Sequence, residues 1–98
     1  MSRSRYTLSQ ERMYSKLVRA YGEHWLVLSE DYDGSSGRIK FHHAPEDRNG
    51  LALFDYWNED YKEVLYTMGQ RNHFYRFLQR NGWYFEWINS EEAVIAPI

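Results

Sequence analysis

Residues 70–98 have the sequence QRNHFYRFLQRNGWYFEWINSEEAVIAPI, which divides into a helix, a stop and a hairpin. The first part carries apolar side chains at the i, i+3 and i+4 spacing of one helical face, at Phe74, Phe77 and Leu78. This spacing predicts a helix that opens at Gln70. The dipeptide Asn81-Gly82 then supplies the left-handed conformation that ends many helices.

After Gly82 the pattern changes from a helical period to strict alternation. Trp83, Phe85 and Trp87 fall on one side of a predicted strand, and Tyr84 and Glu86 fall on the other. Aromatic residues favour such pleated, half-buried surfaces. Turn residues follow at 89–91, and residues 93–98 can return as a second strand. Pro97, near its end, suits an edge strand.

The composition indicates an ordinary globular domain with an excess of aromatic residues. The 98 residues are 43% hydrophobic, 27% charged and 18% aromatic. This length predicts one domain, 1–98, and the composition argues against disorder. The chain has no Cys, which excludes disulfides and zinc–thiolate sites and suits a reducing compartment. We see neither a membrane-spanning apolar run nor a signal peptide, and we therefore expect a cytoplasmic protein.

The first half of the chain predicts one helix and a small sheet. Residues 1–6 form a basic arm that we expect to be mobile. Thr7 and Gln10 have the spacing of a capping box, which would start a helix that ends at Gly22. Residues 25–28 and 38–43 predict a hairpin with a long acidic tip, in which Ile39 and Phe41 point inward and Arg38, Lys40 and His42 point outward. Residues 51–54 predict a third strand.

Residues 55–68 fit two structures. A helical stripe can be drawn through Phe54, Trp57, Tyr61, Val64, Leu65 and Met68. Residues 63–68 also alternate as a strand would, with Val64, Tyr66 and Met68 on one face. We favour a helix from Glu59 to Thr67, broken at Gly69.

Neither a catalytic group nor a metal site is predicted, and no cofactor is expected. His42 and His43 would face opposite sides of a strand, so the two side chains are poorly placed to share an ion. Residues 31–34 lack the remaining ligands of a calcium loop. Glu86 lies beside two Trp residues, but no second carboxylate is placed near it by the sequence.

The charge is segregated, although the net charge is only -2. Residues 1–19 and 64–82 are basic, whereas residues 20–36 and 83–98 are acidic. The basic face of the first helix could meet nucleic-acid phosphates, with aromatic side chains as platforms for bases. The candidate residues for this alternative are Arg5, Arg12, Lys16 and Arg19.

The acidic and aromatic residues 54–61 suggest a contact surface for another protein. Tyr and Trp dominate the energetics of protein interfaces, and flanking carboxylates would steer a basic partner. We expect Trp57 to be buried, because it shares the helical stripe of Phe54. The candidate protein-binding residues are Tyr56, Tyr61, Asp55, Glu59, Asp60, Tyr32, Asp31 and Asp33.

Together these patterns predict an α+β fold. It would have an N-terminal helix and a small antiparallel sheet of four or five strands, with one or two further helices packed on one face. The favoured function is a small intracellular binding module that blocks or bridges another macromolecule, as inhibitors, immunity proteins and phage anti-defence proteins do. Nucleic-acid binding is the first alternative. The second is a small enzyme or ligand-binding domain with a pocket lined by Trp83, Trp87 and Tyr56.

Overall fold

The structure is a computed structural model that describes residues 7–57 and 65–98. Within these residues the chain forms three α-helices, a four-stranded antiparallel sheet and a two-stranded sheet. The elements in order are α1 (Gln10–Tyr21), a 3₁₀ turn (Glu23–Trp25), β1 (Leu26–Leu28), α2 (Ser29–Tyr32), β2 (Ile39–Phe41), β3 (Tyr66–Thr67), β4 (Gln70–Arg71), α3 (Asn72–Arg80), β5 (Trp83–Trp87) and β6 (Ala93–Pro97). The predicted α+β class with an N-terminal helix is confirmed.

The four-stranded sheet has the order β1-β2-β6-β5, and each neighbouring pair is antiparallel. Its register aligns apolar residues across the strands, so that one face of the sheet is the floor of the core. One such row consists of Leu28, Ile39, Ile95 and Phe85. The predicted alternation of β5 is confirmed, since Trp83 is buried and Tyr84 and Glu86 are exposed.

Two helices cover this face of the sheet. Met13 and Leu17 of α1, together with Phe74 and Leu78 of α3, belong to the same buried cluster as the strand residues. Burying each of these side chains contributes roughly 1.5–3 kcal/mol. The N-cap of α1 is Ser9, whose hydroxyl accepts from the backbone N–H of Arg12 at 3.3 Å, so the predicted capping box at Thr7 is wrong by two residues.

The helix α3 begins two residues later than predicted. Gln70 and Arg71 pair with Tyr66 and Thr67 as strands before the chain turns into the helix. The predicted end at 81–82 is confirmed, because Gly82 has a φ of 75°. This left-handed conformation is open to glycine without steric cost.

Three further predictions about the sheet need correction. Residues 51–54 do not form a strand; they make only two isolated bridges, Glu46 with Ala52 and Phe54 with Gln70. The tip of the β1–β2 hairpin contains the helical turn α2. The strand β6 lies between β2 and β5 instead of at an edge. Pro97 is tolerated there because β2 ends its pairing opposite Ile95, two residues earlier.

Two predicted segments lie partly or wholly outside the described residues. The basic arm 1–6 is one of them. The predicted helix from Glu59 to Thr67 falls largely on residues 58–64, which also lie outside. Its C-terminal end is wrong, because Tyr66 and Thr67 belong to β3.

Candidate functional site

A ladder of aromatic rings leads from the core to the surface at the end of β5. Phe54 contacts Trp87 with ring centroids 5.4 Å apart, and Trp87 contacts Tyr56 at 5.1 Å. Tyr56 in turn contacts Trp57 at 5.1 Å. All three pairs are nearly perpendicular, which is the arrangement that aromatic quadrupoles favour. The outer rings therefore rest on an ordered support.

The outer end of this ladder is exposed. Trp57 is 65% exposed, Tyr56 48% and Met68 76%. Met68 directly precedes Gly69, which lies against Trp87. We call Tyr56, Trp57, Met68 and Trp87 the aromatic patch. Large apolar side chains grouped in this way on a surface are typical of contact sites.

The prediction that Trp57 is buried is wrong. The chain turns outward at Asp55, whose carboxylate accepts the backbone N–H of Trp57 at 3.0 Å. The backbone N–H of Asp55 donates to the carbonyl of Gly69 at 2.7 Å, which anchors the turn to the segment before α3. A turn replaces the expected helical stripe here, so Phe54 and Trp57 point to different environments.

Met68 is the only described non-glycine residue with a positive φ, 52°. Such a conformation costs of order 1 kcal/mol or more and is common near binding sites. Gly69 follows with φ +82°, and a Cβ on it would lie 3.0 Å from Cζ2 of Trp87. The turn at 68–69 is thus pressed closely against the aromatic ladder.

A cleft of about 270 Å³ lies beside the acidic hairpin tip on the outer face of the sheet, and Trp87 is the one residue of the patch that lines it. Tyr32 and Asp33 line it from the tip, and Glu86 and Trp87 line it from β5. Of the predicted site residues, Tyr56 contacts Trp87 within the patch, whereas Tyr32 and Asp33 line the cleft on the other face of the sheet. Asp31 is exposed on α2 and does not line the cleft. Tyr61, Glu59 and Asp60 lie outside the described residues.

At the floor of the cleft lies Lys40, whose side chain is only 4% exposed. Its ammonium group donates to Glu92 at 2.9 Å and lies 4.0 Å from the ring centre of Tyr32. The hydrogen bonds from Lys40 and then Asn89 lower the pKa of Glu92. The prediction that Lys40 points to solvent is wrong, because α2 folds over this side of the sheet and covers it.

A second candidate surface lies between α1, α3 and the loop after β2. Two adjoining cavities, of about 370 and 660 Å³, share Arg19, Ala20, Tyr21 and His73. We call the surface formed by Lys16, Arg19, Tyr21, Arg48, His73 and Arg80 the basic groove. Of the predicted nucleic-acid residues, Lys16 and Arg19 line it, Arg12 does not, and Arg5 lies outside the described residues.

The base of the groove is a buried ion pair that sequence reasoning missed. Asp47 accepts hydrogen bonds from Nε of Arg71 and from the backbone N–H groups of Asn49 and Leu51, and its Oδ2 lies 3.1 Å from Nε2 of His73. Burial alone would raise the pKa of Asp47, but the hydrogen bonds outweigh it and lower the pKa to about 2. Asp47 is therefore a carboxylate at neutral pH.

The other groupings of residues that were weighed from the sequence are not formed by the described part of the chain. Trp83 is fully buried in the core, so it does not join Tyr56 and Trp87 in a surface pocket. His43 lies 4.0 Å from Glu91, and His42 contacts Lys40 instead of His43. Across residues 7–57 and 65–98, no three metal-ligating side chains come together in a way that could hold an ion.

Comparisons with known proteins give no relative: no protein-family model, curated protein or solved structure matches this chain. Among the helices in the described ranges, none combines the length and the apolar character needed to cross a bilayer.

Proposed function

We propose that this chain is a small protein-binding module that docks through the aromatic patch and thereby blocks or bridges another protein. The observation that carries the proposal is the exposure of Trp57 and Tyr56 on a ladder of ordered rings. Trp and Tyr are the residues most enriched among interface hot spots. We place its action in a reducing compartment such as the cytoplasm, because the chain has no Cys.

The ring contacts beneath the patch lower the entropy cost of binding a partner. A contact residue that is already held in place loses little conformational entropy when a partner binds. Tyr56 is held between Trp57 and Trp87, and Trp87 is held by Phe54. The patch therefore offers apolar area whose geometry is largely fixed before binding.

The charges around the patch define the kind of partner. Asp55 directly precedes Tyr56 in the chain, and Asp33 and Glu86 line the cleft on the other face of β5, to which Trp87 also contributes. The cations of this cleft are Arg38 and Lys40, and Lys40 is neutralised by Glu92. We expect the partner to offer an apolar depression bordered by Lys or Arg side chains, since such charge complementarity speeds association and selects partners.

The test is affinity capture with the full chain, followed by binding measurements on the recovered protein. The bait is used as the parent and as the double variant Tyr56→Ala/Trp57→Ala. The matched control is Tyr84→Ala, which removes an exposed aromatic ring from the opposite face of β5. A partner of the patch should be recovered with the parent and with Tyr84→Ala but lost with the double variant.

The proposal fails if every protein recovered with the parent is recovered equally with the double variant while circular dichroism shows that variant to be folded. Each single substitution, Tyr56→Ala or Trp57→Ala, should weaken the measured affinity by about 2 kcal/mol, or roughly thirtyfold.

A further inference from the structure

The cations of the basic groove have no ion-pair or hydrogen-bond partner for their side chains among the residues that the structure describes. Within residues 7–57 and 65–98, no ion pair or side-chain hydrogen bond involves the side chain of Lys16, Arg19, Arg48 or Arg80. These four residues come from α1, α3 and the loop after β2, so the fold gathers charges that are distant in the sequence. Cations gathered in one concave surface concentrate the positive potential there and attract anions.

Acidic groups do not cancel this charge. Asp47 at the base is already paired with Arg71, an ion pair buried on both sides. Among the described residues, Glu46 is the one other carboxylate that lines the two cavities, and it lies at the end occupied by Arg48. The centre and the other end, with Arg19, Lys16 and Arg80, therefore stay positive.

Two further groups at the centre suit an anionic ligand. Burial, and secondarily the carboxylate of Asp47, raise the pKa of Tyr21 to about 12, so its phenol stays protonated. Its hydroxyl makes no hydrogen bond within the described residues and is free to donate. His73 is 46% exposed where the cavities join, and Asp47 holds its ring through Nε2.

We propose that the basic groove binds the phosphodiester backbone of a single-stranded nucleic acid. Arg19 and the hydroxyl of Tyr21 would hold a phosphate at the centre, with Lys16 and Arg80 on one side and Arg48 on the other. Arginine, lysine and tyrosine side chains are common donors to phosphate oxygens. Tyr21 and the half-buried Phe77 add rings against which a base can stack.

The concave shape favours a single strand over a duplex. A flexible strand can follow a narrow groove and turn its bases towards the protein, whereas a stiff duplex needs a surface that matches its curvature. The groove is a different surface from the aromatic patch, so this activity is independent of the docking function proposed above.

The experiment is fluorescence anisotropy with labelled oligothymidine of about 20 nucleotides, longer than the ~4–16 nucleotides that a small domain covers. Binding is measured over roughly 0.05 to 0.2 M salt. The groove variant is Arg19→Gln/Arg80→Gln. Its matched control is Arg12→Gln/Arg76→Gln. This pair removes the same number of positive charges from the same two helices, but at positions that do not line the groove. Circular dichroism checks that both remain folded.

We expect the groove variant to bind at least ~10-fold more weakly and to lower the salt slope by about 1.4, since each lost phosphate contact accounts for ~0.7. The control pair should change the affinity by less than about twofold. Charges that do not touch the nucleic acid attract it only at a distance, and salt weakens that attraction. Tyr21→Phe should weaken binding a few-fold, because it removes only the hydroxyl donor.

Three results would overturn the proposal. The first is the absence of binding by the parent at the lowest salt. The second is an equal loss in the two double variants, which would indicate a diffuse charge effect. The third is tighter binding to a duplex of the same length. In addition, Tyr56→Ala/Trp57→Ala should bind the oligonucleotide like the parent, so failure of either proposal is distinguishable from failure of the other.

Discussion

The indole N–H of Trp83 donates a hydrogen bond of 2.7 Å to the backbone carbonyl of Leu8, across 75 residues of sequence. Both residues are almost completely buried, and the backbone N–H of Leu8 donates to Asn81 at 2.9 Å. The segment before α1 is therefore fixed to the start of β5 by two hydrogen bonds and by the burial of the Leu8 side chain. Trp83 links the N-terminal part of the fold to its last hairpin.

We predict that Trp83→Phe destabilises the protein by about 2–4 kcal/mol. The substitution leaves the Leu8 carbonyl buried without its donor, which costs ~1–3 kcal/mol, and it opens a small cavity beside the smaller ring. The measurement is urea denaturation at neutral pH, and Trp57→Phe is the control at an exposed position. Equal unfolding midpoints for Trp83→Phe and the parent would show that this hydrogen bond contributes nothing to stability.

The buried carboxylate of Asp47 predicts a loss of stability in acid. Its folded pKa of about 2 lies below the ordinary value of 3.8, because the hydrogen bonds from Arg71, His73 and two backbone N–H groups outweigh burial. The stabilisation from this group is complete above about pH 4 and is lost as the pH falls towards 2. We expect its loss to lower the free energy of unfolding by about 1–2 kcal/mol.

The measurement is the unfolding midpoint of the parent in urea at pH 5, 4, 3 and 2.5, values chosen to bracket the ordinary pKa. The comparison is the double variant Asp47→Asn/Arg71→Leu, which avoids leaving an unpaired buried arginine. Its stability should fall less over the same interval. Parallel pH profiles for the two proteins would show that Asp47 is not the group responsible.

Alanine substitutions at Gly69 and Gly50 can be compared to test how tightly the turn at 68–69 is packed. Gly69 and Gly50 have nearly equal φ angles, +82° and +79°, so alanine meets similar backbone strain at both. A Cβ at Gly69 would approach Trp87 at 3.0 Å and the carbonyl of Asp55 at 3.3 Å, whereas a Cβ at Gly50 meets nothing within 4 Å. Gly69→Ala should therefore destabilise more than Gly50→Ala, by about 1–3 kcal/mol.

Differential scanning calorimetry of both variants measures this difference directly, because the backbone strain largely cancels between them. Similar melting temperatures would mean that Trp87 moves aside at no cost. In that case the ladder beneath the aromatic patch is less rigid than the packing of Gly69 against Trp87 implies.

The fold was predictable where the sequence carries a long periodic signal. The alternation over 83–87 and the stop at Gly82 specify β5 and the end of α3 because several residues repeat one pattern. The strands β3 and β4 have two residues each, too few to display any period. Residues 51–54 are apolar, as the residues of a buried strand would be. They pair with other segments only through single bridges, however, and no local pattern in the sequence reveals this.

The candidate site was predictable in part. Tyr56 could be chosen as a candidate contact residue because tyrosine is common at interfaces. The exposure of Trp57, in contrast, depends on a turn that is anchored to Gly69, 14 residues after Asp55. Lys40 and the ion pair of Asp47 with Arg71 are buried charges whose partners lie 52 and 24 residues away. Burial of a charge is decided by such distant pairing, which composition and spacing do not encode.

Aromatic rings and carboxylates should contribute to docking in different ways. The rings of Tyr56 and Trp57 provide apolar contact area, so their loss should act on the lifetime of the complex. Asp55 directly precedes these rings, and Asp33 and Glu86 line the cleft on the other face of β5, so these carboxylates should act mainly through long-range attraction before contact. We therefore expect Trp57→Ala to raise the dissociation rate roughly thirtyfold while the association rate changes little.

The variants Glu86→Gln and Asp33→Asn should have the opposite signature, with association slowed a few-fold at low salt and dissociation nearly unchanged. Surface plasmon resonance against the protein captured by the parent chain, at two ionic strengths, measures both rates. The control is Glu11→Gln on α1, an exposed carboxylate that lines neither the patch nor the cleft. If Glu11→Gln slows association as much as Glu86→Gln does, the steering comes from the net charge of the molecule and not from the carboxylates of the cleft.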